Sequence, residues 1–468
     1  MESIGQELEL SIERPAPEGQ FIGRAADSGR IFFVPYACPG ERLLARVDKI
    51  EKGYACAVPV RVLSPGPGRR EPPCPLHFRP EGRGPVCGGC SWQHLDEESQ
   101  LCAKTAVVRD CVRRIGKLDE NLVAQALPSP KAWRYRNKVL IPFGAGEDGR
   151  AIAGFFAPGT NRIADLSDCL VQPELSVSIA LRVKELCAEL GWTPYDVRGH
   201  CGWLRHLLVR TNEDGYALVA LITNDDSAPR KEDFIRIIAS EFPAVRGILQ
   251  NVQPHRTSVA LGETWIPWWG DSHLEERLGD LRLCAAAAAF LQVNTPASLV
   301  LYGCARRALE QFAPKPKLLL DLYSGVGSIA LFLAGCADRV LGVEENRRAV
   351  EDARENARLN GIKNVEFIPG RVETSLGRLR ATLAKLPAAS AAVVLDPPRA
   401  GCASAVLDCL RDPALGKVIY ISCNPATFAR DAARLCGGGW RLSVVQPVDL
   451  FPQTSHIETA AIFDRISS

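Results

Sequence analysis

The stretch Leu318–Leu333, LLLDLYSGVGSIALFL, constrains the fold more than any other part of this chain. Three leucines, Leu318 to Leu320, run into Asp321. A turn carrying Gly325 and Gly327 follows, and an apolar segment opens at Ile329. That order is strand, tight turn, helix, the opening unit of a doubly wound α/β sheet. Glycines in such a turn let a ligand approach the backbone, and the helix N-terminus offers free N–H groups and a positive dipole end. Alone, the pattern D-x-x-x-G-x-G is weak, because a glycine turn also serves simply to join strand to helix.

The segments that follow strengthen it. VLGVEEN (340–346) reads as a second strand ending in Glu344, whose two carboxylate oxygens suit the hydroxyls of a ribose. A helix over 347–359 stops at Asn360-Gly361, a left-handed cap signal, and a strand over 365–368 follows. AAVVLDPPR places Asp396 at a further strand end, and VIYISCNP places Cys423 at the next. Ligands of open α/β sheets bind outside the carboxyl ends of the strands. Asp321, Glu344, Asp396 and Cys423 therefore mark one candidate reaction site.

Upstream, residues 1 to about 63 read as short strands punctuated by glycines, which suits a small barrel of the OB type. Arg24, Arg30, Arg42, Arg46, Lys49 and Lys52 are candidate phosphate contacts there, with Phe21, Phe32 or Tyr54 as stacking candidates. An ordinary solvated barrel is the competing reading. The formal charge is only +2, so any surface for nucleic acid is local rather than global. No signal peptide is evident, and the longest apolar run, 284–291, is too short to span a bilayer, so a soluble cytoplasmic monomer is expected.

Most of the 17 cysteines read as small buried hydrophobes. Cys87-Gly-Gly-Cys90 is different, because two intervening residues let both thiolates reach one centre. Cys74, Cys169, His77 and His94 are candidate partners. Spacing suits structural zinc or an iron–sulfur cluster, with zinc slightly ahead. A helix over 96–115 follows. KAWRYRNK (131–138) then interleaves Trp133 and Tyr135 with Lys131, Arg134, Arg136 and Lys138, fitting either a base-stacking surface or a cationic strand with its aromatics inward. Mixed α+β structure is expected to about Trp269. A helix is read from Thr295-Pro296 with Thr295 as its cap, and Gln292 and Asn294 just precede it.

Taken together, FLQVN (290–294), DLYSGVG (321–327), GVE (342–344), DPPR (396–399), SCNP-A-T (422–427) and FPQTSHIE (451–458) resemble the S-adenosylmethionine-dependent RNA uracil-5-methyltransferases. The resemblance runs nearly end to end. It is strongest to the ribosomal RNA 5-methyluridine enzymes that carry an iron–sulfur cluster. It implies a TRAM-like RNA-binding β-barrel over 1–68, a central α+β domain with the cysteine cluster over 69–280, and a Rossmann-like methyltransferase domain over 281–468. It assigns Cys74, Cys87, Cys90 and Cys169 to a 4Fe–4S cluster, against the preference for zinc. It also implies that Gln292, Tyr323, Glu344 and Asp396 contact S-adenosylmethionine, and that the helix near 94–116 packs on the catalytic domain. Two departures stand out. Twelve residues separate Cys74 from Cys87, more than the family usually has, so 76–86 reads as an insertion. Arg371 replaces a short polar residue and receives no role.

Uracil C5 is a poor nucleophile towards a methyl sulfonium until a thiolate adds at C6 and turns the ring into an enolate. Cys423 suits that role. The C5 proton must then leave to a carboxylate, for which Glu458 is the candidate, as the resemblance also implies. Arg399 can hold the enolate oxygen or a phosphate, and His456 can orient the loop. Ribosomal RNA is favoured over transfer RNA because of the cluster. The competing readings are a cytosine-5 enzyme, an amino-group methyltransferase with its (D/N)PP loop, and a catalytically silent RNA-binding iron–sulfur module.

Overall fold

In the computed structural model, which describes residues 2–26, 29–82 and 84–466, three bodies follow one another along the chain. Arg83, within the inserted loop, lies outside the described residues. The first body is a closed barrel of strands Glu7–Pro15, Gln20–Arg24, Ile31–Pro35, Tyr54–Ser64 and Arg42–Glu51, in that spatial order. Alternation along these strands turns Leu10, Phe21, Phe32, Val34 and Leu43 inward. Trp92 and Leu95, from beyond the Pro- and Gly-rich stretch 64–75, join the same core.

Phe21 and Phe32 are therefore core residues rather than stacking surfaces, because an inward position in so small a barrel has no access to solvent. Tyr54 is exposed and packs edge-on against Phe33. Several of the expected phosphate contacts are engaged within the barrel: Arg24 with Glu13, Arg30 with Glu2, Arg42 with Glu9 and Lys49 with Glu51.

The central body is a seven-stranded sheet in the order Thr264–Gly270, Val245–Val252, Ala217–Thr223, Leu204–Thr211, Lys138–Ala145, Ala151–Phe156 and Ile163–Asp165. Helices Glu174–Leu190 and Lys231–Glu241 cover one face.

The third body is the doubly wound sheet. Its order is Val365–Pro369, Arg339–Glu344, Leu318–Leu322, Ala391–Leu395, Leu415–Ser422, Glu458–Arg465 and Trp440–Val448. The first five strands are parallel and carry apolar residues on both faces, as a sheet covered on both sides requires. The next strand, Glu458–Arg465, is antiparallel to Leu415–Ser422, with Thr459 opposite Ser422. Reversal at that point brings the beginning of one strand to the carboxyl end of its neighbour.

Helix Glu97–Arg114, capped by Asp96, packs Val108 and Val112 into the core of this domain, as the resemblance implies. Lys104 on this helix is fully buried, with its ammonium 2.5 Å from Asp449. No described helix is long and apolar enough to cross a membrane.

Candidate active site

The carboxyl edge of the doubly wound sheet builds a cleft of about 850 Å³, lined by Tyr323, Ser324, Gly325, Glu344, Arg371 and Asp396 among others. Tyr323 follows the strand in a left-handed conformation, φ 70°, and its hydroxyl reaches Glu373 at 3.5 Å. Gly325 and Gly327 also have positive φ. A Cβ on Gly327 would lie 2.7 Å from the Phe367 ring, whereas one on Gly325 would meet nothing within 4 Å. The first glycine keeps the turn open to a ligand, and the second lets the helix pack.

Glu344 orients this turn. One of its carboxylate oxygens accepts from the Gly325 amide at 2.9 Å, the other from the Asn346 amide at 2.8 Å. Beneath them Asp321 is wholly buried with neither carboxylate oxygen hydrogen-bonded, and the Ser324 hydroxyl is likewise unpartnered. Burial, reinforced by Asp396, pushes the Asp321 carboxyl up to about 8. Buried polar atoms without partners are rare and point to a ligand. Sequence reasoning placed Asp321 at the edge but gave Ser324 no role, since a serine in a turn carries no signal of its own. Arg371, left without a role above, is also part of the cleft wall.

Gln292 is half-buried just beyond Phe290 of the cleft wall, and its carbonyl accepts from Asn137 at 3.3 Å. Asn294, rather than Thr295, caps helix Thr295–Glu310. Its side-chain oxygen accepts from the Ala297 amide at 3.2 Å while its amide group donates to Leu450. Fully buried and so engaged, Asn294 is a structural residue.

Asp396 lines the cleft, and Cys423, Glu458 and Arg399 lie close to it. The Cys423 thiol is pushed up to about 11 by burial and by the neighbouring carboxyls of Glu458 and Asp396, and the Arg399 guanidinium pulls it back down. Burial holds Glu458 well above the usual carboxylate range, and one of its oxygens is unpartnered. Burial also raises Asp396, to about 7. Arg399 donates to Nδ1 of His456 at 2.9 Å. An arginine only donates, so His456 Nδ1 carries no proton. Burial and nearby cations keep that ring neutral, with its pKa lowered to about 4. The DPPR and SCNP loops are tied together by the Asn424 and Thr427 side chains, which donate to the Arg399 carbonyl at 3.2 and 3.1 Å.

The segment that delivers Glu458 is bolted from three directions. Trp92 donates its amide to the Gln453 carbonyl at 3.0 Å, Gln100 accepts from the Gln453 amide at 2.8 Å, and Tyr135 donates to the Pro452 carbonyl at 2.9 Å. Tyr135 is thus buried, and Arg134 is spent on a two-point bridge to Asp168 at 2.9 and 3.0 Å. Lys131 pairs with Glu213, and Lys138 donates to the Ala288 and Ala289 carbonyls. KAWRYRNK is therefore mostly an interdomain joint and not a stacking strip. The tyrosine turns inward because its hydroxyl finds a buried acceptor.

The cysteine segment lies between barrel and central sheet. Ionisation of Cys90 and of Cys169 is opposed by burial first and then by the other cysteines of the set, so Cys74, Cys87, Cys90 and Cys169 feel one another's charge. Burial pushes Cys90 up to about 12 and Cys169 up to about 11. The Gly89 amide donates to Cys87 Sγ at 3.3 Å, and the Val171 and Gln172 amides act on Cys169. Arg79 pins the inserted loop by donating to the carbonyls of Pro72 at 2.6 Å and Cys74 at 3.1 Å, which keeps Cys74 beside its partners despite the long spacing.

His77 and His94 are not ligands. They hydrogen-bond each other at 3.2 Å, and their outer nitrogens meet the carbonyls of Cys90 and Ala37. Among the described residues no three His, Cys, Asp or Glu side chains converge tightly enough to hold a single metal ion. The arrangement therefore gives no support to the tetrahedral zinc preferred from spacing.

The profile of the tRNA (uracil-5-)-methyltransferase family matches residues 280–466, and that of the TRAM domain matches residues 2–60. An uncharacterized RNA methyltransferase of Halalkalibacterium halodurans is 39% identical over 98% of this chain and 96% of its own. One from Listeria monocytogenes is 35% identical over 98% and 97%. Among solved structures, the Pyrococcus abyssi tRNA (uracil-54, C5)-methyltransferase in complex with S-adenosyl-L-homocysteine matches with a TM-score of 0.73 and 25% identity, over 97% of this chain and 99% of that one. The chain belongs to the S-adenosylmethionine-dependent RNA (uracil-5-)-methyltransferase family, with a TRAM domain at its N-terminus.

Proposed function

We propose that this protein methylates C5 of one uridine in ribosomal RNA through a covalent adduct to Cys423. The observation that carries this reading is the clustering of Cys423, Glu458 and Arg399 beside Asp396 of the cleft wall. Bound S-adenosylmethionine supplies an electrophilic methyl group. Gln292, Tyr323, Glu344 and Asp396 hold it, with the unpartnered Ser324 hydroxyl completing the polar lining.

The Cys423 thiol gives its proton to water, and its sulfur bonds to C6 as the C5–C6 double-bond electrons form a C4–C5 double bond and the C4 carbonyl electrons move to the enolate oxygen, near the Arg399 guanidinium. C5 then bonds to the methyl group as the enolate returns to the carbonyl and the sulfonium–methyl bond breaks, releasing S-adenosylhomocysteine. Glu458, ionised at this stage, takes the C5 proton, and the electrons of that C–H bond re-form C5=C6 as the C6–S bond breaks to the thiolate. The barrel and central domain grip the RNA, and the target base is turned out of its stack into the cleft.

Cys74, Cys87, Cys90 and Cys169 hold a 4Fe–4S cluster in this reading. Four thiols that feel one another's charge, with amide donors at Cys87 and Cys169, are the donor set such a group would take. The Pyrococcus abyssi neighbour, by its title a tRNA enzyme, supports transfer RNA as the second substrate reading.

The test uses RNA transcribed with [5-³H]uridine, presented separately as ribosomal and transfer RNA lacking modification. Tritium should pass to water in step with methyl transfer, from ribosomal RNA and not from transfer RNA. Release from neither contradicts C5 chemistry. Protein prepared without oxygen should contain iron and acid-labile sulfide in equal amounts, about four of each.

A further inference from the structure

A second cleft, of about 1150 Å³, opens in the central domain. It lies at the end of strand Lys138–Ala145 remote from the active site. Lys138 at one end of that strand bonds the carbonyls of the catalytic cleft wall, while Phe143 and Ala145 at the other line the second cleft. At about 3.3 Å per residue the two are roughly 20 Å apart. Gly84 and Pro85, from the inserted loop between Cys74 and Cys87, contribute to one wall.

The lining joins two features. Arg162, Arg198 and Arg256 all line the cleft, and among the described residues none of them is in a salt bridge, although Arg256 donates to the Arg198 carbonyl at 3.3 Å and both Arg198 and Arg256 lie near enough to Asp196 to favour its charge. Elsewhere on the same domain Arg182 is held by Glu185, Glu189 and Glu241, so unpaired guanidiniums are not the rule on this surface. Behind them the buried Arg205 is fixed to the carbonyls of Gln253 and His255, yet its Nε has no partner, nor has Nδ1 of His206. The opposing acids are few: Glu147, and Asp196, whose carboxylate accepts from the amides of Arg198 and Gly199. The second feature is apolar surface left open to water, with Phe156 43% and Val197 47% exposed.

Cations outside any salt bridge beside open apolar faces match an unpaired nucleic-acid strand, which offers phosphates and base faces together, whereas a duplex hides its base faces. We propose that this cleft is an accessory RNA subsite that holds a single-stranded segment flanking the methylated uridine, with phosphates on Arg162, Arg198 and Arg256 and bases against Phe156 and Val197. The proposal rests on the reading of RNA as substrate.

The test measures binding of a fluorescein-labelled single-stranded oligouridylate of about twenty nucleotides to the full chain over a range of salt concentrations. The triple variant R162Q/R198Q/R256Q should bind at least about tenfold more weakly. Its dependence of log Kd on log salt should flatten by about two, since each single-strand phosphate contributes about 0.7. F156A should weaken binding by about fivefold or more with the slope unchanged, as expected for a lost stacking face. Crosslinks from a 4-thiouridine version should map to peptides bearing Phe156 or Val197.

A triple variant with wild-type affinity and slope, or crosslinks absent from those peptides, overturns the subsite. The two readings fail separately. A wild type that crosslinks through this cleft yet methylates no RNA contradicts the methyl-transfer reading alone. A wild type that methylates RNA, with a triple variant unchanged in Kd, contradicts the subsite alone.

Discussion

At the Cys423 sulfur two fields oppose each other. Burial and the carboxyls of Glu458 and Asp396 favour the thiol, and Arg399 favours the thiolate. With the thiol pushed up to about 11, the thiol form dominates at pH 7. The size of the Asp396 contribution depends on pH. Asp396 titrates near 7, so it repels the thiolate above that pH and is neutral below it. Asp396→Asn should therefore speed iodoacetamide alkylation of the Cys423 peptide by roughly three- to tenfold at pH 8.5 and leave it unchanged at pH 5.5. Equal effects at both values would remove the electrostatic account. Glu458→Gln should still form the Cys423 bond to ordinary uridine and accept the methyl group, but should fail to lose the C5 proton. A methylated protein–RNA adduct should then accumulate on denaturing gels, where the wild type shows none.

Local sequence was most legible at the level of elements that carry their own signals. Helix Arg347–Leu359 ends at Asn360 with Gly361 at φ 64°, and helix Glu97–Arg114 runs between Asp96 and Ile115, both as read. The cap of the helix at Thr295 is displaced by one residue. Asn294 and Thr295 are both competent caps, and tertiary partners for the Asn294 amide decide between them. The glycine turn separates two roles that its motif cannot. Gly327→Ala should cost about 1–3 kcal/mol through the Phe367 clash, added to the left-handed strain of roughly 1–2 kcal/mol that Gly325→Ala also bears. Thermal melts should thus rank wild type, Gly325→Ala and Gly327→Ala in descending order. Asp449→Ala strands the Lys104 ammonium inside the joint between helix and catalytic domain. It should cost about 3–5 kcal/mol in denaturant unfolding, a far greater loss than an exposed pair such as Arg24–Glu13 would show.

Over the whole molecule, the loop before Glu458 is where barrel, cysteine segment, early helix and central domain meet, through Trp92, Gln100 and Tyr135. That convergence was hidden in the sequence. Its bonds run mostly to backbone carbonyls and amides more than 300 residues away, and such partners leave no pattern in residue type. The motifs at strand ends were legible because the doubly wound sheet gathers its carboxyl ends without help from side chains. The burial of Tyr135 and, in the barrel, of Phe21 and Phe32 was not legible for the converse reason: burial is set by what packs over a residue. The central claim is covalent catalysis by Cys423, and RNA containing 5-fluorouridine tests it most directly, because fluorine at C5 cannot leave as a cation. With S-adenosylmethionine present, the wild type should stall as a methylated adduct whose RNA-linked peptide contains Cys423, and Cys423→Ala should give none. An adduct mapping to another residue, or turnover without an adduct on RNA that the wild type methylates, would contradict it.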